Sequence, residues 1–478
     1  MDFKSFVNGK IDEKREVFTS LSDRIWEYAE LSLKEFNSAK DYIAELSSLG
    51  FEVQGNLCGL ETAFCGKFGT GRPVIAILGE YDALSGLSQA SCSTEKKPLE
   101  NGGSGHGCGH NLLGAGALAA AYGIKCYLEK SGKSGTVYFY GTPGEEGGAG
   151  KAYMAKMGLF RDVDCALTWH PSDANEVATG SCNSTIQALY KFEGVASHAA
   201  GDPENGRSAL DAVELMNIGV QFLREHTKDD ARIHYSIIDT GGPSPNVVQP
   251  TASVLYMIRS ELVKDVNALA ERVEKCALGA KIMTDTDYER VFIDGCSNTV
   301  PNHTLESVLY ENMSAFPKEE YTADEWDFAS RLKATYNNNE LVGIGTRYNP
   351  ATRKFVKEES LDGTRPINDF IVPLYQGEHF SPGSSDVGDV SWQTPTAQIY
   401  VTCFTAGAPG HSWQNVSIGK HSIAKKGLIR AGKILASAAI DLFENPEIIE
   451  KARAELLEAT GGEFFSPIPD GDRIKAIE

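Results

Sequence analysis

Apolar positions near the start of the chain recur at helical spacing. Phe18, Leu21, Ile25 and Ala29 share one recurring face, then Ala39, Ile43 and Leu46 another, with Gly50 as a stop. This pattern predicts helix over 11–49. Short apolar runs follow, and "ETAFCGKFG" (61–69) and "PVIAILGEYDAL" (73–84) read as strands. The spacing predicts a helix over 112–129. Beyond it, "GTVYFYGTPGEEGGAGKAYMAKMG" (135–158) and "CALTWHPS" (165–172) are β-rich runs that end in polar groups. The pattern resumes late, with "TAQIYVTCFTAG" (396–407) and helices predicted over about 418–443 and 446–459. Alternating strands and helices of this kind predict an α/β fold with a doubly wound sheet.

Between 186 and 298 the rhythm is different. "TIQALYKFEG", "RIHYSIIDTGG", "SVLYMIRSELV" and "YERVFIDG" read as strands, and "SALDAVELMNIGVQFLREHT" and "VNALAERVEKCALGAKIM" as helices. The order β-α-β-β-α-β is ferredoxin-like. Residues 186–298 are therefore expected to form an inserted domain, with 1–185 and 299–478 as the two parts of the first. Residues 317–378 are polar and weakly periodic and predict a long cap-like excursion.

Composition narrows the function classes. The chain has 478 residues and a formal net charge of −20, which argues against nucleic acid or an anionic membrane as partner. The start, "MDFKSFVNGKIDEKREVF", lacks the apolar core of a signal peptide, and the longest apolar run, "LLGAGALAAAYGI" (112–124), is too short to span a bilayer. The 10 cysteines include no C-x-x-C pair, so reduced thiols and a cytoplasmic location are expected.

Candidate chemistry gathers where an α/β sheet places its ligands, past the carboxyl ends of strands. Glu80 and Asp82 follow "VIAIL", Glu145 and Glu146 follow "TVYFY", His170 follows "CALTW", and His411 follows "AQIYVTCF". In "GHGCGHNLLGAG" (105–116), glycines flank Cys108 and His110 and free the loop to aim both side chains one way. Thiolate, imidazole and carboxylate together suit a divalent cation, and a second ion beside the first would clamp a water. The pair Glu145–Glu146 then divides labour: one carboxylate binds metal and its neighbour takes a proton. His106 reads as a structural or supporting residue. There is no G-x-S-x-G elbow, "GEEGGAGKA" lacks the Ser or Thr of a P-loop, and no G-x-G-x-x-G opens a helix.

Seven blocks, in order, carry a family resemblance: "GEYDAL", "GHGCGHNLLGAGALAAA", "GTPGEEGGAGK", "WHP", "GVASHAAGDPENGRSALDA", "GGPSPNVVQPTA" and "SSDVGDVSW…APGHSW". The chain resembles the dimetal amidohydrolase/carboxypeptidase family of auxin-conjugate hydrolases, aminoacylases and aminobenzoyl-glutamate hydrolases. "GEYDALSGLSQ" and "SSDVGDVSW" look most like the aminobenzoyl-glutamate and indole-acetyl-aspartate branch. The resemblance implies two divalent ions, zinc or manganese with cobalt as the alternative, held by Cys108, His110, Glu146, His170 and His411. It implies Glu145 as general base and Asp82 as an acid supporting the ligands. On the inserted domain it implies His198 polarising the scissile carbonyl, with Asn246 and Arg259 binding the substrate's carbonyl and carboxylate. There are two departures. Asn111 stands where the family has an acid after C-G-H. Glu80 stands two residues before Asp82, where the wider family has a metal-binding histidine, so either Glu80 coordinates or the cysteine takes over.

The implied function is hydrolysis of N-acyl or N-aroyl amino acids by metal-activated water, with p-aminobenzoyl-glutamate or a similar acidic conjugate as first guess. The implied assembly is a homodimer through the inserted lid/dimerisation domain, or a heteromer with a related chain. The alternatives are a catalytically silent partner of a heteromeric enzyme and a metallo-dipeptidase.

Overall fold

The computed structural model of the chain describes residues 2–336, 350–377 and 379–476. Two compact units emerge. The first comprises Met1–Ser181, Val300–Phe380 and Val390–Phe464; the second comprises Cys182–Thr299, Ser381–Asp389 and Phe465–Glu478.

The first unit is built on a seven-stranded sheet. Its order is Glu52–Gly55, Phe64–Thr70, Gly135–Gly141, Val74–Gly79, Cys165–Ser172, Thr396–Thr402 and Glu176–Val177. The strands from Gly135–Gly141 through Thr396–Thr402 run parallel, and the outer ones pair antiparallel. Both faces are covered. Ile75, Ile77, Val137, Phe139, Leu167 and Trp169 enter one core, whereas Ala76, Leu78, Tyr140 and Ala166 enter another. That two-sided burial is why these strands read as unbroken apolar runs and not as alternating ones. The helix His110–Ser131 lies on the first of these cores. Its small residues let it approach closely: a Cβ on Gly116 would come within 2.6 Å of the Trp169 ring. The Trp169 indole N–H donates to Leu113 O at 2.9 Å, fixing helix to strand.

The predicted helix over 11–49 is divided. Phe3–Glu13, Arg15–Tyr28 and Phe36–Ser48 are separate helices. Ala29 (φ 42°) and Leu33 (φ 61°) turn left-handed between the second and third. Glu30 stabilises this break, since its carboxylate accepts the Asn37 and Ser38 backbone N–H groups, both at 2.9 Å, at the start of the third helix. The polar stretch 317–378 also proves partly core-forming. Thr322 and Glu325 make a capping box for the helix Ala323–Lys333, which buries Phe328, Ala329 and Leu332. A second helix runs Pro350–Glu359, while 337–349 and 378 lie outside the described residues.

The second unit has a four-stranded sheet in the order Asp287–Cys296, Ser184–Glu193, Thr251–Ser260, Arg232–Asp239, with every neighbour antiparallel. Helices Ala209–Arg224 and Val263–Thr284 pack on it and on each other. Chain order within 184–296 is β-α-β-β-α-β. Two further segments, read from sequence as part of the first unit, belong here. Asp389 accepts the Ser297 N–H and Oγ–H, both at 2.8 Å, and Lys475 N–H donates to Ile293 O at 2.8 Å.

Candidate metal centre

The site lies at the carboxyl edge of the parallel strands in the first unit. Glu80 and Asp82 follow the strand Val74–Gly79, and Glu145 and Glu146 follow Gly135–Gly141. His170 stands near the end of Cys165–Ser172, and His411 lies in the loop after Thr396–Thr402. Cys108 precedes Gly109, which has φ 83°, and His110 follows it as the first residue of the helix His110–Ser131. A side chain at 109 would meet both that φ and the Phe404 ring, 2.8 Å from its Cβ. Only glycine brings this loop so close to the neighbouring strand end.

Three donor sets form here, with all ligand atoms of a set within 4.8 Å of one another: Cys108–His110–His170, Cys108–Glu146–His411, and Glu80–His110–Glu145. Cys108 belongs to two of them. Cys108 Sγ is 3.3 Å from His170 Nε2, and His411 Nε2 is 3.5 Å from Glu146 Oε2.

Hydrogen bonds set the imidazole tautomers. His110 Nδ1 donates to Asp82 Oδ1 at 2.9 Å, which turns Nε2 toward the cluster. His170 Nδ1 donates to the Pro171 carbonyl at 2.7 Å, with the same result. His110 Nε2 then faces Glu80 Oε2 at 3.3 Å and Glu146 Oε1 at 3.9 Å. Carboxylate oxygens this close call for positive charge at Nε2, a proton on the imidazole or a cation in its place. Among the described residues, moreover, no hydrogen bond reaches the buried atoms His110 Nε2 and Glu146 Oε1. Sulfur, nitrogen and oxygen donors with orphaned buried atoms fit divalent cations.

The electrostatics agree. Burial pushes the Cys108 thiol up, and Glu146 adds to this, so a thiolate here needs a nearby cation. Burial also raises the Glu146 carboxyl. Burial lowers His110, but Cys108 and Asp82 outweigh it and hold it well above the usual range. For His170, burial and then the His110 charge press it down to about 4. Asp82 is pushed up by burial, yet bonds from His110, Glu146 N–H and Ser32 hold it at about 2.

Sequence reasoning missed three residues around this cluster. Lys151 is wholly buried, with Nζ 2.8 Å from Glu80 Oε1; it hid in a stretch read only as a failed P-loop. Ser32 donates to Asp82 Oδ2 at 2.8 Å, and Glu35 accepts Gly144 N–H at 2.8 Å, so it holds the loop that carries Glu145 and Glu146. Both fall in the break within the predicted 11–49 helix, where no periodic signal marks them. Burial, then the Asp82 charge, raises Glu35 to about 8. His106 bonds Ile25 O at 3.0 Å, and Asn111 donates to Ser22 Oγ at 3.0 Å.

The second unit holds the remaining candidates. His198 is bridged to Val247, and Ala199 N–H donates to Asn246 O at 3.0 Å, so the His198 and Asn246 segments lie side by side. Ala200 N–H and Gly201 N–H donate to His198 Nδ1 at 3.2 and 3.0 Å, which leaves its proton on Nε2. Arg259, on Thr251–Ser260, reaches Ser384 Oγ at 3.3 Å.

Residues 76–336 match Peptidase family M20/M25/M40. The chain belongs to this family. This M20 protein is a metal-dependent amidohydrolase or peptidase, in line with the family resemblance of its motifs. It is 42% identical over 469 residues to a p-aminobenzoyl-glutamate hydrolase subunit of Escherichia coli K12, covering 97% of each chain. It is 28% identical to Xaa-Arg dipeptidase of Mus musculus, over 93% of this chain and 90% of the relative. Among solved structures, an aminobenzoyl-glutamate utilization protein from Klebsiella pneumoniae shares the fold. The TM-score is 0.60 at 17% identity, over 91% of this chain and 98% of that one. A dinuclear metal binding M20 peptidase from Bacillus subtilis has a TM-score of 0.54 at 17% identity, over 91% and 99%.

Proposed function

We propose that this M20 hydrolase cleaves the amide of N-acyl and N-aroyl amino acids with an acidic leaving residue, p-aminobenzoyl-glutamate first among them. Similarity to the Escherichia coli aminobenzoyl-glutamate hydrolase along nearly the whole chain carries this reading. Cys108, His110, Glu146, His170 and His411 would hold a pair of divalent ions, zinc or manganese or alternatively cobalt. Cys108 and His110 each belong to two donor sets, and Cys108 is the one that joins His110 and His170 to Glu146 and His411, which supports it as the shared ligand. Such ions, when bound, lower the pKa of water and polarise a carbonyl.

The chain's own groups supply the rest. Glu145 takes the proton of the attacking water and returns it to the leaving nitrogen. Asp82 keeps His110 Nε2 turned toward the cluster. The Nε2 proton of His198 is the donor that a developing oxyanion needs. Asn246 and Arg259 bind the substrate's carbonyl and carboxylate.

The second unit would serve as a docking element. Its edge strand Arg232–Asp239 exposes Tyr235, Ile237 and Ile238, which supports pairing with a second copy or with a related chain. All ten cysteines are free and no helix among the described residues is long and apolar enough to cross a membrane, which supports a reducing, cytoplasmic setting.

The purified chain, loaded with manganese or zinc, is offered p-aminobenzoyl-glutamate, indole-acetyl-aspartate and Xaa-Arg dipeptides. Release of glutamate as the fastest reaction is the expected result. Preference for dipeptides, or activity only after a related chain is added, overturns it in favour of a dipeptidase or a silent partner. Glu145→Gln should lose about 10²–10⁴-fold in kcat with metal content unchanged.

A further inference from the structure

A cavity of about 250 Å³ in the first unit opens beside the metal centre. Cys108, His170 and His411 line it together with Tyr400, Phe404 and Asp173. The first three belong to the donor sets, so whatever group occupies this cavity sits next to the scissile bond. The other three are of a different kind: two aromatic rings and a carboxylate. The His170 ring meets Tyr400 edge-on, with centroids 6.0 Å apart, which ties the aromatic wall to a ligand residue.

Asp173 follows the strand that carries His170. Its Oδ2 accepts Gly407 N–H at 2.8 Å, and this bond fixes the carboxylate against the loop leading to His411. Among the described residues its Oδ1 receives Ser172 Oγ at a long 3.5 Å, with the Lys333 charge acting on the carboxylate as a whole, so Oδ1 retains acceptor capacity. A carboxylate there repels an anionic acyl group and is left unpaired by a plain aliphatic one. A flat ring tipped by N–H donors satisfies both the aromatic wall and the acceptor.

We propose that Asp173 is a specificity-determining residue that accepts a hydrogen bond from an aryl amine on the acyl half of the substrate. The assignment rests on the reading above that the chain hydrolyses N-aroyl amino acids, and it names the feature of the acyl group that the cavity selects. A site that offers a buried acceptor to a donor rejects the analogue lacking that donor more sharply than any apolar wall could. Asp173 thus discriminates between para-aminobenzoyl and benzoyl groups of nearly equal size, and it takes no part in the proton transfers.

The test is calorimetric binding of p-aminobenzoate and of benzoate to the manganese-loaded chain. Both carry the same carboxylate and ring and differ only in the amine. The wild-type chain should bind p-aminobenzoate about tenfold more tightly. Asp173→Asn keeps an acceptor for Gly407 N–H but turns an NH₂ toward the cavity. It should bring the two affinities together, with benzoate binding and metal content unchanged. Equal affinities in the wild type overturn the proposal without any variant. So does an Asn variant that keeps both its metal and its amine preference. Hydrolysis of p-aminobenzoyl-glutamate is measured separately. Its absence sinks the substrate reading, whereas the binding comparison alone judges Asp173.

Discussion

Asp82 shows how much a single side chain decides in this centre. It accepts from His110 Nδ1, from Ser32 and from the Glu146 backbone N–H, so it sets an imidazole tautomer and positions a ligand-bearing loop together. Asp82→Asn presents an amide that can donate where only acceptance is wanted, and it removes the charge that fixes the His110 proton. Metal affinity should fall about 10–100-fold, read by chelator competition. The donors themselves were legible in the chain because each follows a strand ending or a glycine-rich loop, and Cys108, His110, Glu146, His170 and His411 do converge. Lys151, Ser32 and Glu35 were not legible. A buried lysine, a serine and a glutamate have no spacing rule that distinguishes them from a solvated turn; only tertiary contact with Glu80, Asp82 and Gly144 does.

Among the elements, the helix His110–Ser131 matters most for the site, because it delivers His110 from its first residue. Its position depends on glycine. Gly116 faces the Trp169 indole, and Gly432, on the helix Ser422–Glu444, lies where a Cβ would be 2.8 Å from Ala119. Gly116→Ala should cost about 1–3 kcal/mol of stability through overpacking, seen as a lower denaturant midpoint. The intrinsic helix propensity of alanine works in the other direction, so an unchanged or raised midpoint would show that the contact yields. This helix was predictable from its apolar run. The split of 11–49 was not, since left-handed alanine and leucine leave no local trace and the Glu30 cap acts across the turn.

For the whole molecule, charge and surface carry the remaining expectations. Burial pushes the Asp389 carboxyl up to about 7, against the lowering bonds from Ser297. A carboxyl raised in the folded state above its unfolded value of 3.8 stabilises fully below about pH 4, and that contribution is lost as pH rises toward 7. Wild type should therefore melt progressively lower between pH 4 and pH 8, and Asp389→Asn should flatten the slope at matched metal loading. The proposed pairing through the edge strand predicts that Ile237→Lys shifts the sedimenting species toward monomer; an unchanged mass would count against a role for Arg232–Asp239 in any pairing. The β-α-β-β-α-β rhythm was readable because each of its elements lies within one continuous stretch. Segments 381–389 and 465–478 were not, as nothing in their composition says which sheet they close.

That last segment has a consequence for synthesis. Phe465 O accepts from Ser297 Oγ at 3.3 Å, Ser466 O accepts from Asn267 Nδ2 at 3.1 Å, and Lys475 is bonded to Ile293. A ribosome therefore extrudes residues 182–299 long before the piece that closes them exists. Through the translation of nearly two further domain halves, the insert stays part-built on the nascent chain, and chaperones have that interval in which to engage its open face.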